Sequence, residues 1–329
     1  MQWHGWITRR TTSEPTDEPD ESWTTAPAGA IAVPAIVIGT PSPTIEPAPT
    51  ADQFRAFPYR PDTVLDGWST DWLTVRAGST RGALHRHNGT PRQDDFAAHR
   101  LPDGRVIILV ADGVSQAPQS HIGATTAVRY AAQWLHTHMP ADTADTDWSA
   151  LVKSTAWALS EQVQALFGLP APDSAQAEQL LATTLVCAVI EPSQPGLARV
   201  HLLSVGDSGA WLLPADQQVP VAILGGKDPS STLASSTVAG LPRVPANLDP
   251  TVLHIEPGDV LLIGTDGIGD PLGSGQGAVG NLLRSALTGP VPPSLLEFGR
   301  VVDFSRETFT DDRTLVAASP LAPGPGPAW

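Results

Sequence analysis

The stretch "RVIILVADG" (105–113) is a short, uniformly apolar run bounded by turns, and it stops on an Asp-Gly pair. Such a run predicts a strand buried on both faces. "DVLLIGTDG" (259–267), far along the chain, has the same form and stops on the same pair. An Asp-Gly pair is a favoured tight turn and needs no further role. Two such endings can also belong to one metal site.

Working outward, "WLTVRAGS" (72–79) alternates as a strand does, and "TTLVCAVIE" (183–191), "ARVHLLSVG" (198–206) and "SGAWLLP" (208–214) follow as a run of strands. "TVLHIE" (251–256) and "RTLVAAS" (313–319) complete the set. Helical spacing marks 121–139, which Pro140 ends, and 148–168, where Leu151, Val152, Ala156, Leu159, Val163 and Leu166 form one face and Gly168 is a stop signal. Residues 277–287 and 294–305 also read as helices. Strands in hairpin-like succession, with helices grouped between them, fit an α+β protein, a β-sandwich clad by helices, better than alternating βαβ units.

The folded part is expected over 66–319 of the 329 residues. Residues 1–65 contain "EPTDEPDES" (14–22) and "TPSPTIEPAPTAD" (40–52), too poor in apolar residues to offset the entropy of ordering them, and read as a disordered extension. "IAVPAIVIG" (31–39) is their one apolar patch, too short to span a bilayer but suited to a short strand or a docking motif. The tail 320–329 reads as flexible.

No secretory signal is apparent, and the single Cys187 excludes an intramolecular disulfide or a Cys-based zinc cluster. A soluble, cytoplasmic, monomeric protein without a membrane partner is expected. Net charge is −15, with 34 acids against 19 Lys and Arg, and nothing forms a basic stripe. Nucleic acid is therefore not an expected partner.

Asp94, Asp112, Asp207, Asp266 and Asp311 each lie at the edge of an apolar, strand-like run. If they converge, two carboxylates ~4 Å apart repel by ~4 kcal/mol at a near-surface effective dielectric. Several such pairs match a domain's whole stability of ~5–15 kcal/mol. A cluster must then be protonated or hold cations. An all-oxygen set favours Mg²⁺ or Mn²⁺. Glycine after each Asp allows a backbone carbonyl or a phosphate to come close.

The ordered series "RQDDF" (92–96), "VADGVS", "ATTLVCAVI", "LLSVGDSGAWLL", "LLIGTDGIGD" and "DDRTLV" (311–316) resembles the bacterial metal-dependent Ser/Thr protein phosphatases of the 2C type across roughly 72–318. The resemblance implies a four-layer α-β-β-α sandwich of two antiparallel sheets with two Mn²⁺ or Mg²⁺ ions at one end. It implies that Asp112 bridges the metals, that the Gly113 carbonyl ligates one, and that Asp266 and Asp311 ligate the other. Asp94, with Gln93 beside it, would hold metal-bound water; Asp312 stands where the family usually has Asn. Thr183, Thr184, Gly206 and Asp207 match positions that mainly build the core sheet. The implied reaction is hydrolysis of phosphoserine or phosphothreonine by a metal-activated water, on a Ser/Thr kinase or its targets.

Three positions depart from that pattern. Gly89 stands where the family commonly has a phosphate-gripping Arg, so a guanidinium from "HRHNGTPR" (85–92) must substitute, and Arg86 is chosen over Arg92. Val114 stands where some members have a His. His85, His87 or His121 could then serve as proton donor, or a water in their place, with His87 beside Arg86 taken into the catalytic set. The third metal of some bacterial members would need an Asp near Gln179 and Glu178, where there is none. These losses keep open a second reading, a catalytically silent module that binds a phosphoprotein or a regulatory partner.

Overall fold

Strand β4 (Val106–Ala111) is buried along its whole length, and its successive side chains serve two different cores. Val106, Ile108 and Val110 meet Val75, Val186, Leu202, Leu261 and Val316 between two sheets. Ile107 and Leu109 turn the other way, onto Leu135, Leu151 and Leu159 of a helical layer. Each fully buried Ile, Leu or Val stabilises the fold by about 1.5–3 kcal/mol. The computed structural model describes residues 36–40, 61–225 and 240–322.

One sheet contains β1 (Thr63–Ser69), β2 (Leu73–Thr80), β11 (Arg313–Pro320), β10 (Val260–Gly264), β7 (Gly209–Leu213) and β8 (Val221–Leu224), in that order. The other runs β3 (Asp95–Arg100), β4, β5 (Leu185–Gln194), β6 (Leu197–Val205) and β9 (Thr251–Ile255). All neighbouring strands are antiparallel.

Helices α2 (Ser120–His138), α3 (Trp148–Phe167) and α4 (Ser174–Leu181) cover the second sheet. Helices α5 (Asp266–Leu272), α6 (Ala278–Leu287) and α7 (Leu295–Val302) cover the first through Ile268, Leu283, Phe298 and Val302. Local signals set the helix ends. The Asp147 carboxylate accepts from Ala150 N–H at the start of α3, and Gly168 closes that helix with φ 64°. Ser294 and Glu297 form a reciprocal capping box on α7. The expected α-β-β-α sandwich of two antiparallel sheets is the observed architecture. Among the described residues no helix is long and apolar enough to cross a membrane.

Most expected elements fall within a few residues of their observed bounds, and the departures have physical reasons. The run 259–267 is a strand only to Gly264, after which Asp266 opens α5. Edge strand β1 went unread because Asp66-Gly67 looks like a turn; here both residues are in the strand, and Asp66 Oδ1 accepts from Gly67 N–H.

Of residues 1–65, those at 36–40 and 61–65 are described, and both pack on the domain; the rest of the expected extension lies outside the described residues. Val37 bridges Ser305 in parallel fashion. Ile38 N–H donates to Ser305 C=O at 2.8 Å, Ser305 N–H to Ile36 C=O at 2.8 Å, and Glu307 N–H to Thr40 C=O at 2.7 Å. Ile36 and Ile38 pack on the Phe298–Phe304 core. "IAVPAIVIG" therefore ends in a docking segment.

A chain starting at residue 61 loses these contacts and should melt roughly 5–10 °C below one starting at residue 36, at about 0.5–1.5 kcal/mol per hydrogen bond plus two apolar side chains. Equal melting temperatures would show that the segment adds no stability.

Candidate metal centre

Antiparallel pairing gathers the candidate carboxylates at one end of the sandwich. β3 begins where β4 ends, with Asp95 opposite Ala111. β11 begins where β10 and β2 end, with Leu315 opposite Gly264 and Arg313 opposite Thr80. Asp94, Asp112, Asp266 and Asp311 each sit next to one of these strand ends.

Asp94 joins the two sheets. Its Oδ2 accepts from the Thr265 and Thr314 hydroxyls, each at 2.8 Å. Thr314 spends its proton on Asp94, so it must accept from Ser79, 2.6 Å away. Ser79 in turn accepts from the buried Arg92, whose guanidinium also donates to Asp94 C=O at 2.9 Å. The hydroxyls thus form a relay aimed at one carboxylate. Thr265, although it is the N-cap of α5, gives its side chain to Asp94 and makes no cap bond.

Asp112 follows β4, and its backbone is locked on both sides. Its N–H donates to Thr184 Oγ1 at 2.9 Å, and its C=O accepts from Thr184 N–H and Thr183 Oγ1, each at 2.8 Å. Thr183 and Thr184, just ahead of β5, therefore brace the site through the Asp112 backbone. Gly113, next in the chain, is bridged to Thr183.

The Asp-Gly question has a steric answer. A Cβ on Gly267 would lie 1.8 Å from Asp312 C=O, and one on Gly113 would lie 2.8 Å from Ser120. These glycines let a helix start and a loop close on the chain that carries the carboxylates.

The charges couple. Burial raises the Asp112 pKa well above the ordinary carboxylate value, and the Asp94, Asp266 and Asp311 charges add to it. Burial likewise raises Asp94, with Asp312 and Asp311, against the hydroxyl bonds from Thr314 and Thr265. Asp266 is pushed up to about 6 by burial, then by Asp311 and Asp207. Asp311 is raised by burial and Asp312, opposed by His85. Asp207, read as a core-sheet residue, thus also acts on Asp266 through its charge.

The histidine beside this cluster is His85, not His87. Both lie on α1 (Ala83–Asn88), but His85 is buried and His87 is exposed. His85 Nδ1 lies 2.8 Å from Asp312 Oδ1, and Nε2 lies 3.9 Å from Asp311 Oδ1. Burial works to lower the His85 pKa, but Asp312, then Asp311 and Asp94, override it and push it up to about 9. The imidazole is therefore a cation at neutral pH. The buried Asp312 carboxylate also accepts from the N–H groups of Gly82 and Gln93. His85, Asp311 and Asp312 lie close enough together to share a cation.

Arg86 turns away from His85. Its guanidinium bonds Asp62 at 2.7 Å and Thr80 at 3.2 Å and lies 3.6 Å from Asp303. This corrects the expectation of an arginine at liberty to grip phosphate, because Asp62, absent from that reading, already holds it. Arg92 is a buried structural tie. The relay through Ser79, Thr265 and Thr314 was missed because its members are far apart in sequence and each looks like an ordinary strand residue.

A cavity of about 170 Å³ opens beside Asp266 and Asp311, walled by Leu84, Thr308 and Phe309. Thr308 has φ 71°, a strained value for a β-branched residue.

Comparison with known proteins bears on the fold and the family. No curated protein matches the chain. Among solved structures, the serine/threonine phosphatase Stp1 from Staphylococcus aureus aligns with a TM-score of 0.53 at 13% identity, over 77% of this chain and 98% of that one. RsbX in complex with magnesium gives 0.50 at 13%, over 78% and 100%. The catalytic domain of the serine/threonine protein phosphatase PstP, in complex with two manganese ions, gives 0.50 at 19%, over 76% and 99%. At such identities the likeness carries the fold alone. A family profile described as protein phosphatase 2C matches residues 81–288, which take in Asp94, Asp112 and Asp266, while Asp311 joins them only in the fold. On that match, which spans more than half of the chain, this protein belongs to the protein phosphatase 2C family.

Proposed function

We propose that this chain is a metal-dependent phosphatase that removes phosphate from serine or threonine of proteins. The observation that carries the reading is the carboxylate cluster, in which burial and mutual repulsion raise Asp112, Asp94, Asp266 and Asp311 together. Oxygen donors brought this close suit a hard divalent cation. Asp112, the Gly113 carbonyl, Asp266 and Asp311 would hold two Mn²⁺ or Mg²⁺ ions. Bound there, such ions supply an acidified water and offset charge on the phosphoryl oxygens during in-line attack.

The protein's own groups set up that reaction. Asp94, clamped by two threonine hydroxyls, is oriented to accept a hydrogen bond from water. His85 places positive charge against Asp312 and Asp311 and so fixes the strand end that carries them. Arg86 ties α1 to Asp62 ahead of β1, which leaves phosphate binding to the cations. We place the protein in the cytoplasm as a monomer, acting on a Ser/Thr kinase or its targets.

The silent-module reading draws support from that same commitment of Arg86 and from Gly89 and Val114. Mn²⁺-dependent hydrolysis of p-nitrophenyl phosphate and a phosphothreonine peptide separates the two. The phosphatase reading expects turnover that chelation abolishes; no turnover with either metal favours the module.

Asp112→Asn should lower kcat/KM at least about 100-fold, a loss of about 2.7 kcal/mol. The metal-free variant should melt no lower than the wild type, because a repelling buried charge is gone. Wild-type turnover would overturn the ligand assignment.

The metal-free protein should also lose stability as pH rises. Asp266, at about 6 against an ordinary 3.8, keeps its proton in the fold where the unfolded chain has lost it, so stability declines between those values. The contribution of His85, at about 9 against 6.5, is full below 6.5 and lost as pH climbs to 9. Melting of the metal-free protein should therefore be higher at pH 5.5 than at pH 8, and millimolar Mn²⁺ should raise it most at pH 8. A higher metal-free melting temperature at pH 8 would contradict the electrostatics described here.

A further inference from the structure

A second, larger cleft lies beside the carboxylate end, with a volume of about 840 Å³. Its floor includes every residue of β3 from Asp95 to Arg100, together with Leu101. An unbroken run of this kind marks a groove that follows a backbone edge, since one face of a strand offers only alternate residues. β3 is the last strand of its sheet, so that edge has no neighbour within the sheet. Opposite stand Val64, Leu65 and Asp66 of β1, the edge of the other sheet, and one face of α2 forms the remaining wall.

The groove has a polarity. At the end next to the metal centre, Asp95 follows Asp94 directly and accepts from Thr125 of α2 at 2.6 Å. Farther along, the charge reverses. His99 and Arg100 on β3 join Arg129 and His136 on α2, all exposed and without an ionic or hydrogen-bond partner among the described residues. Arg129, Gln133 and His136 fall at helical spacing and present one face of α2 to the cleft. Two exposed arginines and two histidines at one place are an exception in a chain of net charge −15. The cleft's acids are Asp66, which caps Gly67 N–H, and Asp95 at the site end.

We propose that this groove docks an extended, acidic stretch of the protein substrate, which pairs its backbone with the edge of β3 and sets its carboxylates against Arg100 and Arg129. Strand addition supplies affinity through main-chain hydrogen bonds, and the side-chain charges supply selectivity. From Asp95 to Arg100 the strand advances about 17 Å. The acids that face Arg100 therefore lie about five to seven residues from the phosphorylated one, at about 3.3 Å per residue. The inference deepens the phosphatase reading and rests on it for the identity of the occupant.

The test uses the full chain and two phosphothreonine peptides, one with Glu and Asp five to seven residues from the phosphosite and one with Gln and Asn there. Arg100→Ala/Arg129→Ala should raise KM for the acidic peptide roughly 3- to 30-fold, with little change for the neutral peptide and none for p-nitrophenyl phosphate. In parallel, fluorescence anisotropy of an unphosphorylated acidic peptide reads the groove without turnover. Binding should weaken with salt, with the double substitution, and with backbone N-methylation of the peptide at alternate residues. Unchanged KM for the acidic peptide, or no anisotropy change up to millimolar protein, would overturn the docking site. Binding of a single-stranded oligonucleotide or anionic vesicles in preference to the peptide would overturn its occupant. Loss of the phosphatase reading would show instead as absent p-nitrophenyl phosphate turnover while the anisotropy arm still reported on the groove.

Discussion

Four carboxylates and their neighbours at the joined ends of two sheets repel one another, and much of the architecture around them exists to hold that arrangement. Two such groups at contact oppose each other by about 4 kcal/mol at an effective dielectric of 20. The sandwich resists this with rigid strand ends and fixed donors. Thr265 and Thr314 clamp Asp94, Thr183 and Thr184 clamp the Asp112 backbone, and Gly82, Gln93 and His85 neutralise Asp312. A divalent ion would convert repulsion into coordination, and the fold is then most comfortable with the ion bound.

The same constraint explains where cations were placed. With only 19 Lys and Arg against 34 acids, two buried arginines and a half-buried pair each have a specific task near the site. Arg92 relays donors to Asp94 through Ser79. Arg313 stacks on Phe304 at 4.5 Å and donates to Phe309 C=O, which fixes the strand end next to Asp311 and Asp312. Arg81 and Arg86 share Asp62, so that one aspartate just ahead of β1 anchors both sides of α1.

How much of this was legible followed from range. Strands buried on both faces, such as β4 and β10, announce themselves because every residue is apolar, and the α-β-β-α layering follows once such runs succeed one another. β1 did not, because an edge strand needs neither uniform apolarity nor strict alternation, and its Asp66-Gly67 imitates a turn. The acids of the site were visible at their strand ends, but not which neighbours they would acquire. α1 has six residues, too few to show a periodicity that would tell the inward His85 from the outward Arg86 and His87. Asp62 was assigned to an extension expected to be disordered, so the partner that takes up Arg86 was invisible. The Arg92–Ser79–Thr314–Asp94 relay spans 235 residues between Ser79 and Thr314 and leaves no local trace.

Charge also orders events at the site. A phosphate dianion approaching the metal-free cluster meets Asp112, Asp266 and Asp311, whose charge His85 and Arg313 offset only in part, and repulsion opposes it. Of the exposed arginines that could attract an acidic partner, Arg100 lies about 17 Å from Asp95 along β3, and Arg129 stands on α2 about one helical turn beyond Thr125. Attraction of a partner's chain and acceptance of its phosphate would thus be separate electrostatic problems, met at different places along one cleft. The first depends on the exposed guanidinium groups of Arg100 and Arg129. The second depends on the buried carboxylates Asp112, Asp266 and Asp311, which a bound divalent cation would compensate further. On the proposed reading, a partner would be held along β3 whether or not the centre is loaded, and a loaded centre would be the better acceptor of its phosphate.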